Sequence, residues 1–316
     1  MNQNTFRIQK IKTQVDMDEF VAFLDLKSPK VIVKPNWVSY QKGTYTDARV
    51  LDMFLTAVKR PTILAESYTF WRTDKKVRGE GDYFSSKEAN LKTGKDHWDF
   101  FKKQDGIFLN ETGIGKVLKK HNAEYLNITN EVWGGKTASP HEVKTIVESK
   151  YAPVSAEDLY SYIPNKIYEL KGYDMISFSK AKIDSSYGAS LSIKNLFGLI
   201  PDPTRYEKYH GGDTEHLLTQ SIIDANKIYR SLFNTKFVVE GVFEHCSINW
   251  DTEIATPILD WGVIIGGSDA LEVDTIANKL LKTNFAGAIK DLSERYKRII
   301  NGNDSVDITK YSEYLI

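Results

Sequence analysis

Short apolar runs alternate with helical spacing along the first half of the chain. Val31-Ile32-Val33 is a β-branched run closed by Lys34-Pro35-Asn36, where the proline ends a central strand. Asp47 is placed to cap a helix in which Val50, Leu51, Phe54, Leu55 and Val58 share a face. Thr62-Ile63-Leu64-Ala65 predicts a second strand ending at Glu66. A helix through Ile114, Val117 and Leu118 and a third strand from Ala123 to Ile128 follow. The second half predicts strands at Met175–Phe178, Phe237–Val239 and Gly262–Ile265. Asp213 precedes a helix striped by Leu217, Leu218, Ile222, Ile223 and Ile228. Asp269, with Glu272 three positions on, fits a capping box for a helix through Val273, Ile276, Ala277 and Leu280. A last amphipathic helix through Ile289, Leu292, Tyr296 and Ile299 stops at Asn301-Gly302.

Strands alternating with helices predict an α/β fold, with a mostly parallel sheet or sheets flanked by helices in a Rossmann-like arrangement. Residues 67–110 interrupt the rhythm, being charged and aromatic with little periodicity. They predict a long inserted loop segment whose Trp71, Trp98, Phe100 and Phe101 need a surface to bury against, as a lid over a cleft or a partner face would supply. The chain is expected to divide into a first α/β half, residues 1–150, that holds this insertion, and a second half, residues 151–316. The stretch from Pro153 to Pro164 is the best place for the boundary.

Composition narrows the partners. With 41% apolar and 27% charged residues the chain can bury a sizeable core. Lysine plus arginine equals aspartate plus glutamate at 42 each, so no overall field draws it to nucleic acid or an anionic membrane, and any anion site must be local. The single cysteine, Cys246, rules out an internal disulfide and a thiolate-held iron–sulfur cluster. The first residues lack a basic segment followed by an apolar one, and no apolar run reaches the roughly 18 residues of a membrane span, so a cytoplasmic protein is expected.

Common chemical signatures are absent. No Gly-x-Gly-x-x-Gly follows a strand, and the near miss Thr112-Gly113-Ile114-Gly115-Lys116 falls at a helix start. No Gly-x-Ser-x-Gly elbow occurs. Asp269 and Asp274 are five apart and do not share a helix face, and His245, Cys246 and Asp251 are too sparse for a metal site, so no metal is expected and the cofactor stays open.

The informative stretch is Ser179 to Gly212, where Lys180, Lys182, Lys194, Arg205, Lys208 and His210 gather around Ser192-Ile193-Lys194-Asn195-Leu196-Phe197-Gly198. A lysine beside Asn195, with His210 on the next loop, suits three tasks: gripping a carboxylate or phosphate, acting as a base if desolvation lowers its pKa, or forming a Schiff base. His210 is expected to titrate near neutrality and shuttle a proton. Alternatively the lysines are solvated loop residues and His210-Gly211-Gly212 is only a turn. Lys34, Asn36 and Glu66 follow the ends of the first two predicted strands, where ligands bind in open parallel sheets.

Val31-Ile32-Val33-Lys34-Pro35-Asn36, the pair Lys180 and Lys182, Lys194-Asn195-Leu196-Phe197-Gly198 with His210, and Gly266-Gly267-Ser268-Asp269 with Asp274 resemble the signature blocks of the domain of unknown function 362 family, in that family's order. The chain departs from the pattern in two places. Ile183-Asp184-Ser185 stands where relatives often have a histidine, and His245 to Trp250 replaces a glycine-rich turn. Some relatives carry ferredoxin-type cysteines, which are not found here. A more distant likeness is to the nickel-pincer lactate racemases, with Lys194 and His210 at the comparable positions. The expectation is an enzyme acting on a small anionic metabolite by isomerase-, racemase- or lyase-like proton transfer. Lys194 and His210 would be catalytic, and Lys34, Asn36, Glu66, Lys180, Lys182 and Asn195 would bind substrate in one cleft. A non-catalytic small-anion-binding or accessory protein is the alternative.

Overall fold

The computed structural model describes residues 6–69, 71–72, 95–185, 187–202, 205–210, 215–249, 254–258, 261–282 and 288–302. Its strands are β1 (Phe6–Lys10), β2 (Val31–Lys34), β3 (Thr62–Glu66), β4 (Glu124–Asn127), β5 (Asp174–Lys180), β6 (Lys182–Asp184), β7 (Gly188–Ser190), β8 (Asn234–Gly241), β9 (His245–Asn249), β10 (Ile254–Ile258) and β11 (Val263–Gly267). Seven of them form one sheet in the order β1-β11-β8-β5-β2-β3-β4. The run from β8 to β4 is parallel throughout, and β11 is antiparallel to both its neighbours. The expected α/β class with a mostly parallel, helix-flanked sheet is therefore the observed one, and both halves of the chain contribute to the same sheet.

The strands read as continuous apolar runs because helices cover both faces. Val31, Val33, Leu64, Ile176, Phe178, Val238 and Ile264 belong to one core with helices Gln14–Phe23, Ala48–Val58 and Ile114–Lys120. The alternate residues Ile32, Ile63, Ala65, Met175, Phe237, Val239 and Ile265 belong to the other, under helices Pro140–Glu148, Glu215–Leu232 and Ala270–Leu280. Asp47 caps its helix through the Arg49 N–H at 2.8 Å, as its position predicts.

After β2 the chain crosses to β3 and β4, while after β5 it crosses the other way to β8. β2 and β5 are neighbours, so the crevice between their carboxyl ends is a topological switch point, where open α/β sheets bind ligands. β5 continues through Ala181 into β6, and β8 leads into β9. β6 and β9 pair in parallel within a second sheet of order β10-β9-β6-β7. That sheet stands beyond the carboxyl ends of β5 and β8 and walls the crevice.

The expected inserted loop needs correcting. Trp98–Glu111 is a helix whose buried positions are Phe101, Gln104, Asp105 and Phe108. Two of the four are polar, which hid a regular helical stripe from a hydrophobicity reading. Phe101 stacks on Tyr68 at 5.8 Å between ring centres, and Phe108 lies in the core with Trp37. Of the segment 67–110 expected as a lid or partner face, residues 70 and 73–94 lie outside the described residues. Among the described residues no helix is long and apolar enough to cross a membrane.

Candidate functional site

Lys34 ends β2, and Pro35 turns the chain there. Its buried ammonium donates to the Glu66 carboxylate at 2.8 Å and to the Pro35 carbonyl at 2.6 Å. Glu66, ending the adjacent β3, also accepts from the Trp37 and Ser67 N–H groups at 3.2 and 3.0 Å. Asn195 binds both sides of the switch point. Its amide nitrogen donates to the Lys34 carbonyl and the Ser177 hydroxyl, and its oxygen accepts from the Asn36 amide at 3.0 Å. The Asn36 oxygen in turn accepts from the Lys182 ammonium, so a continuous polar network joins β2, β3, β5 and β6. Gly198 closes over this network. A Cβ there would lie 3.0 Å from the Lys34 ammonium nitrogen.

The short helix Ser192–Asn195 presents Lys194 and Asn195, and it is held from below by Asp274. The Asp274 carboxylate accepts from the Ser192 N–H at 2.9 Å, the Ser192 hydroxyl at 2.5 Å and the Ile193 N–H at 3.0 Å. Burial pushes this carboxyl up to about 7, against the pull of those donors.

Above the network lies a cleft of about 120 Å³, lined among others by Lys34, Asn36, Glu66, Lys182, Lys194, Asn195 and His210. The Lys194 ammonium is paired with Asp184 at 3.1 Å and sits 4.5 Å over the Tyr187 ring. Arg205 opens a π-helical turn, Arg205–Tyr209, and its guanidinium donates to the Gly198 and Ile200 carbonyls at 2.8 and 3.2 Å. Lys182 differs from its neighbours: among the described residues no carboxylate lies within ion-pairing distance of its ammonium. Burial, with Lys194 and Lys34 adding repulsion, lowers its pKa to about 7. The expectation of a desolvated lysine is thus met by Lys182, while Lys194 is the ion-paired one. His210 is neutral at pH 7, since burial first and then Lys194 and Arg205 lower its pKa to about 4. This corrects the expectation that it titrates near neutrality.

Seven of the eight residues expected at the site line this one cleft: Lys34, Asn36, Glu66, Lys182, Lys194, Asn195 and His210. Lys180 does not. As the last residue of β5 it pairs in register with Glu240 on β8, and its ammonium binds that buried carboxylate at 3.0 Å. A two-residue spacing suggests a shared face for Lys180 and Lys182, but Ala181 separates two different sheets. The sequence reading missed Asp184, Ser67 and Trp37 as lining residues, while Trp71 was expected to bury over a cleft or a partner face and lies on the lining. Asp184 follows Lys182 at strand spacing and had a legible signal; Ser67 and Trp37 had none.

Among the described residues there is no group of three or more His, Cys, Asp or Glu placed to hold a metal ion. What the residues offer is a polar floor with one ammonium that is not neutralised, walled by aromatic rings. A family model described as "Domain of unknown function (DUF362)" matches residues 31–279. No curated protein and no solved structure matches the chain, and the matches do not extend to the nickel-pincer racemases. The matched span runs from the start of β2 almost to the end of helix Ala270–Leu280 and takes in every residue of the network described above, so the chain belongs to the domain of unknown function 362 family.

Proposed function

We propose that this protein is an acid–base enzyme acting on a small anionic metabolite, with Lys182 as the group that binds the anion and moves the proton. The observation that carries this reading is the Lys182 ammonium, buried in a cleft at a topological switch point without a carboxylate partner among the described residues and with a pKa lowered to about 7. Such a lysine is divided between ammonium and amine at neutral pH, which matches the requirement of a general base or acid. As ammonium it draws a carboxylate or phosphate out of water and, once the neutral His210 ring has taken the proton from carbon beside the anionic group, it can return one as a general acid. Lys34 and Lys194 are each held by a carboxylate of their own, Glu66 and Asp184, which leaves Lys182 as the charge that a ligand would meet. His210 faces the same cleft as a neutral ring able to hand on a proton. A racemase-, isomerase- or lyase-like step fits these parts. A cytoplasmic setting also fits, since Cys246 is a buried free thiol.

The alternative is a binding protein, favoured by the number of cations already committed to ion pairs. A panel of carboxylates and phosphates is screened for binding, and every ligand that binds is then followed for deuterium uptake from heavy water. Wild type should bind and exchange. Lys182→Met should lose both, and His210→Asn should bind normally with exchange slowed about 100-fold or more. Binding without exchange in wild type for every ligand found would assign the chain to the binding class.

A further inference from the structure

We propose that the cleft is built for a monocarboxylate with a flat, unsaturated body, and against phosphates and dicarboxylates. The inference rests on the anion-site reading above and narrows it to a substrate class.

The first argument is charge. Three of the four cations on the lining are matched one to one: Lys34 with Glu66 at 2.8 Å, Lys194 with Asp184 at 3.1 Å and Arg205 with Asp202 at 3.5 Å. Lys182 remains, so among the described residues the site offers one uncompensated positive charge. A monoanion neutralises it. A dianion would enter a buried cleft with a surplus charge facing Glu66 and Asp184, and burying an unmatched charge is strongly unfavourable. A neutral group adds to the site without altering this sum: Ser67 is on the lining, and its hydroxyl is buried with no hydrogen-bond partner among the described residues.

The second argument is shape. Trp71, Phe197 and His210 lie on the cleft lining, and Tyr206 links two of them from outside it. Phe197 meets His210 at 6.3 Å between centroids, His210 meets Tyr206 at 5.4 Å, and Tyr206 meets Trp71 edge-on at 6.1 Å. His210 belongs in this row as an uncharged ring and makes no side-chain hydrogen bond among the described residues. Aromatic rings and an uncompensated ammonium on the lining of one small cleft favour a ligand that is charged at one end and planar at the other. Neither an aliphatic acid nor a sugar phosphate uses both features.

The test measures binding to the full-length protein by titration calorimetry with four probes: benzoate, cyclohexanecarboxylate, acetate and phenyl phosphate. Benzoate should bind about tenfold or more tightly than each of the others. Trp71→Ala, at a half-buried ring on the lining, should cut the preference for benzoate over acetate. Phenyl phosphate binding as tightly as benzoate would overturn the monoanion argument, and cyclohexanecarboxylate doing so would overturn the planar one. In both cases Lys182→Met would still abolish binding, leaving the anion site intact. If none of the four probes bound, the anion site itself would fall, and this inference with it.

Discussion

Lys180 and Lys182 stand two positions apart and meet opposite electrostatic fates. Lys180 is fully buried against Glu240, whose carboxylate also accepts from the Val242 N–H at 3.3 Å. Lys182 is equally buried, and among the described residues its ammonium donates to the Asn36 oxygen and to no carboxylate. Removing one member of a buried pair strands the other charge, so Lys180→Met should cost about 3–5 kcal/mol in urea unfolding. Lys182→Met removes a charge that the fold itself does not neutralise, and should leave stability unchanged or raise it while abolishing anion binding. Equal destabilisation of the two variants would show that Lys182 serves the fold and not a ligand. Residues that are costly to the native state and indispensable to a ligand are the mark of a functional site.

At the scale of elements, a single carboxylate sets the position of the short helix Ser192–Asn195. Asp274→Ala would leave the Ser192 and Ile193 N–H groups buried without acceptors, a loss of roughly 1–3 kcal/mol for each group left unmatched. Anion affinity should fall together with stability, because Lys194 and Asn195 ride on that helix. Asp274→Asn keeps one acceptor oxygen and should recover part of both losses. Affinity unchanged in the alanine variant would mean that the helix keeps its place without the carboxylate. None of this was legible in the sequence, since Asp274 acts on a segment 82 positions away. What was legible were elements whose pattern and environment agree: β2, β3, β5, β8 and β11 as apolar runs, and Ala48–Val58 and Ala270–Leu280 as capped, striped helices. The Trp98–Glu111 helix was hidden because Asp105 and Gln104 occupy its inner face. Asp105 is tolerable there through its ion pair with Arg72 and the bonds it accepts from the Tyr125 hydroxyl at 2.7 Å and the Asn127 amide at 3.3 Å. Lys34, Asn36 and Glu66 were visible because they follow strand ends, a rule of topology, and Lys182, Lys194, Asn195 and His210 because they gather in one stretch, Ser179 to Gly212; which lysine lacks a partner is a matter of tertiary packing and was not.

For the molecule as a whole, Lys182 makes folding and binding respond to pH in opposite directions. Its folded pKa of about 7 lies below its ordinary value of 10.5, so between those limits the unfolded chain holds more protons than the folded one. The penalty for burying the ammonium is full below pH 7 and is relieved as pH rises toward 10.5, a stability gain of about 1.4 kcal/mol per pH unit at most. Anion affinity should fall over the same range, because the binding form is the ammonium. The measurement is the thermal midpoint of wild type minus that of Lys182→Met from pH 6 to 9, beside benzoate affinity. The difference should rise with pH while affinity declines, and a flat difference would mean that Lys182 keeps its proton throughout.

The passage of β5 into β6 and of β8 into β9 has a mechanical consequence. The small sheet is a cantilever fixed to the main sheet along two parallel beams, β6 and β9, cross-braced to each other at Lys182 and Cys246, Ile183 and Ser247, and Asp184 and Ile248. A cantilever with two roots resists both bending and twisting, so the wall that carries Lys182 and Asp184 holds its distance from Lys34 and Glu66. Compliance is left to the opposite rim, where Trp71 and the Arg205–Tyr209 turn belong to connecting segments. On the proposed function, a ligand entering past the rings would come to rest on the stiff side, where the proton would move over a length that thermal motion hardly changes.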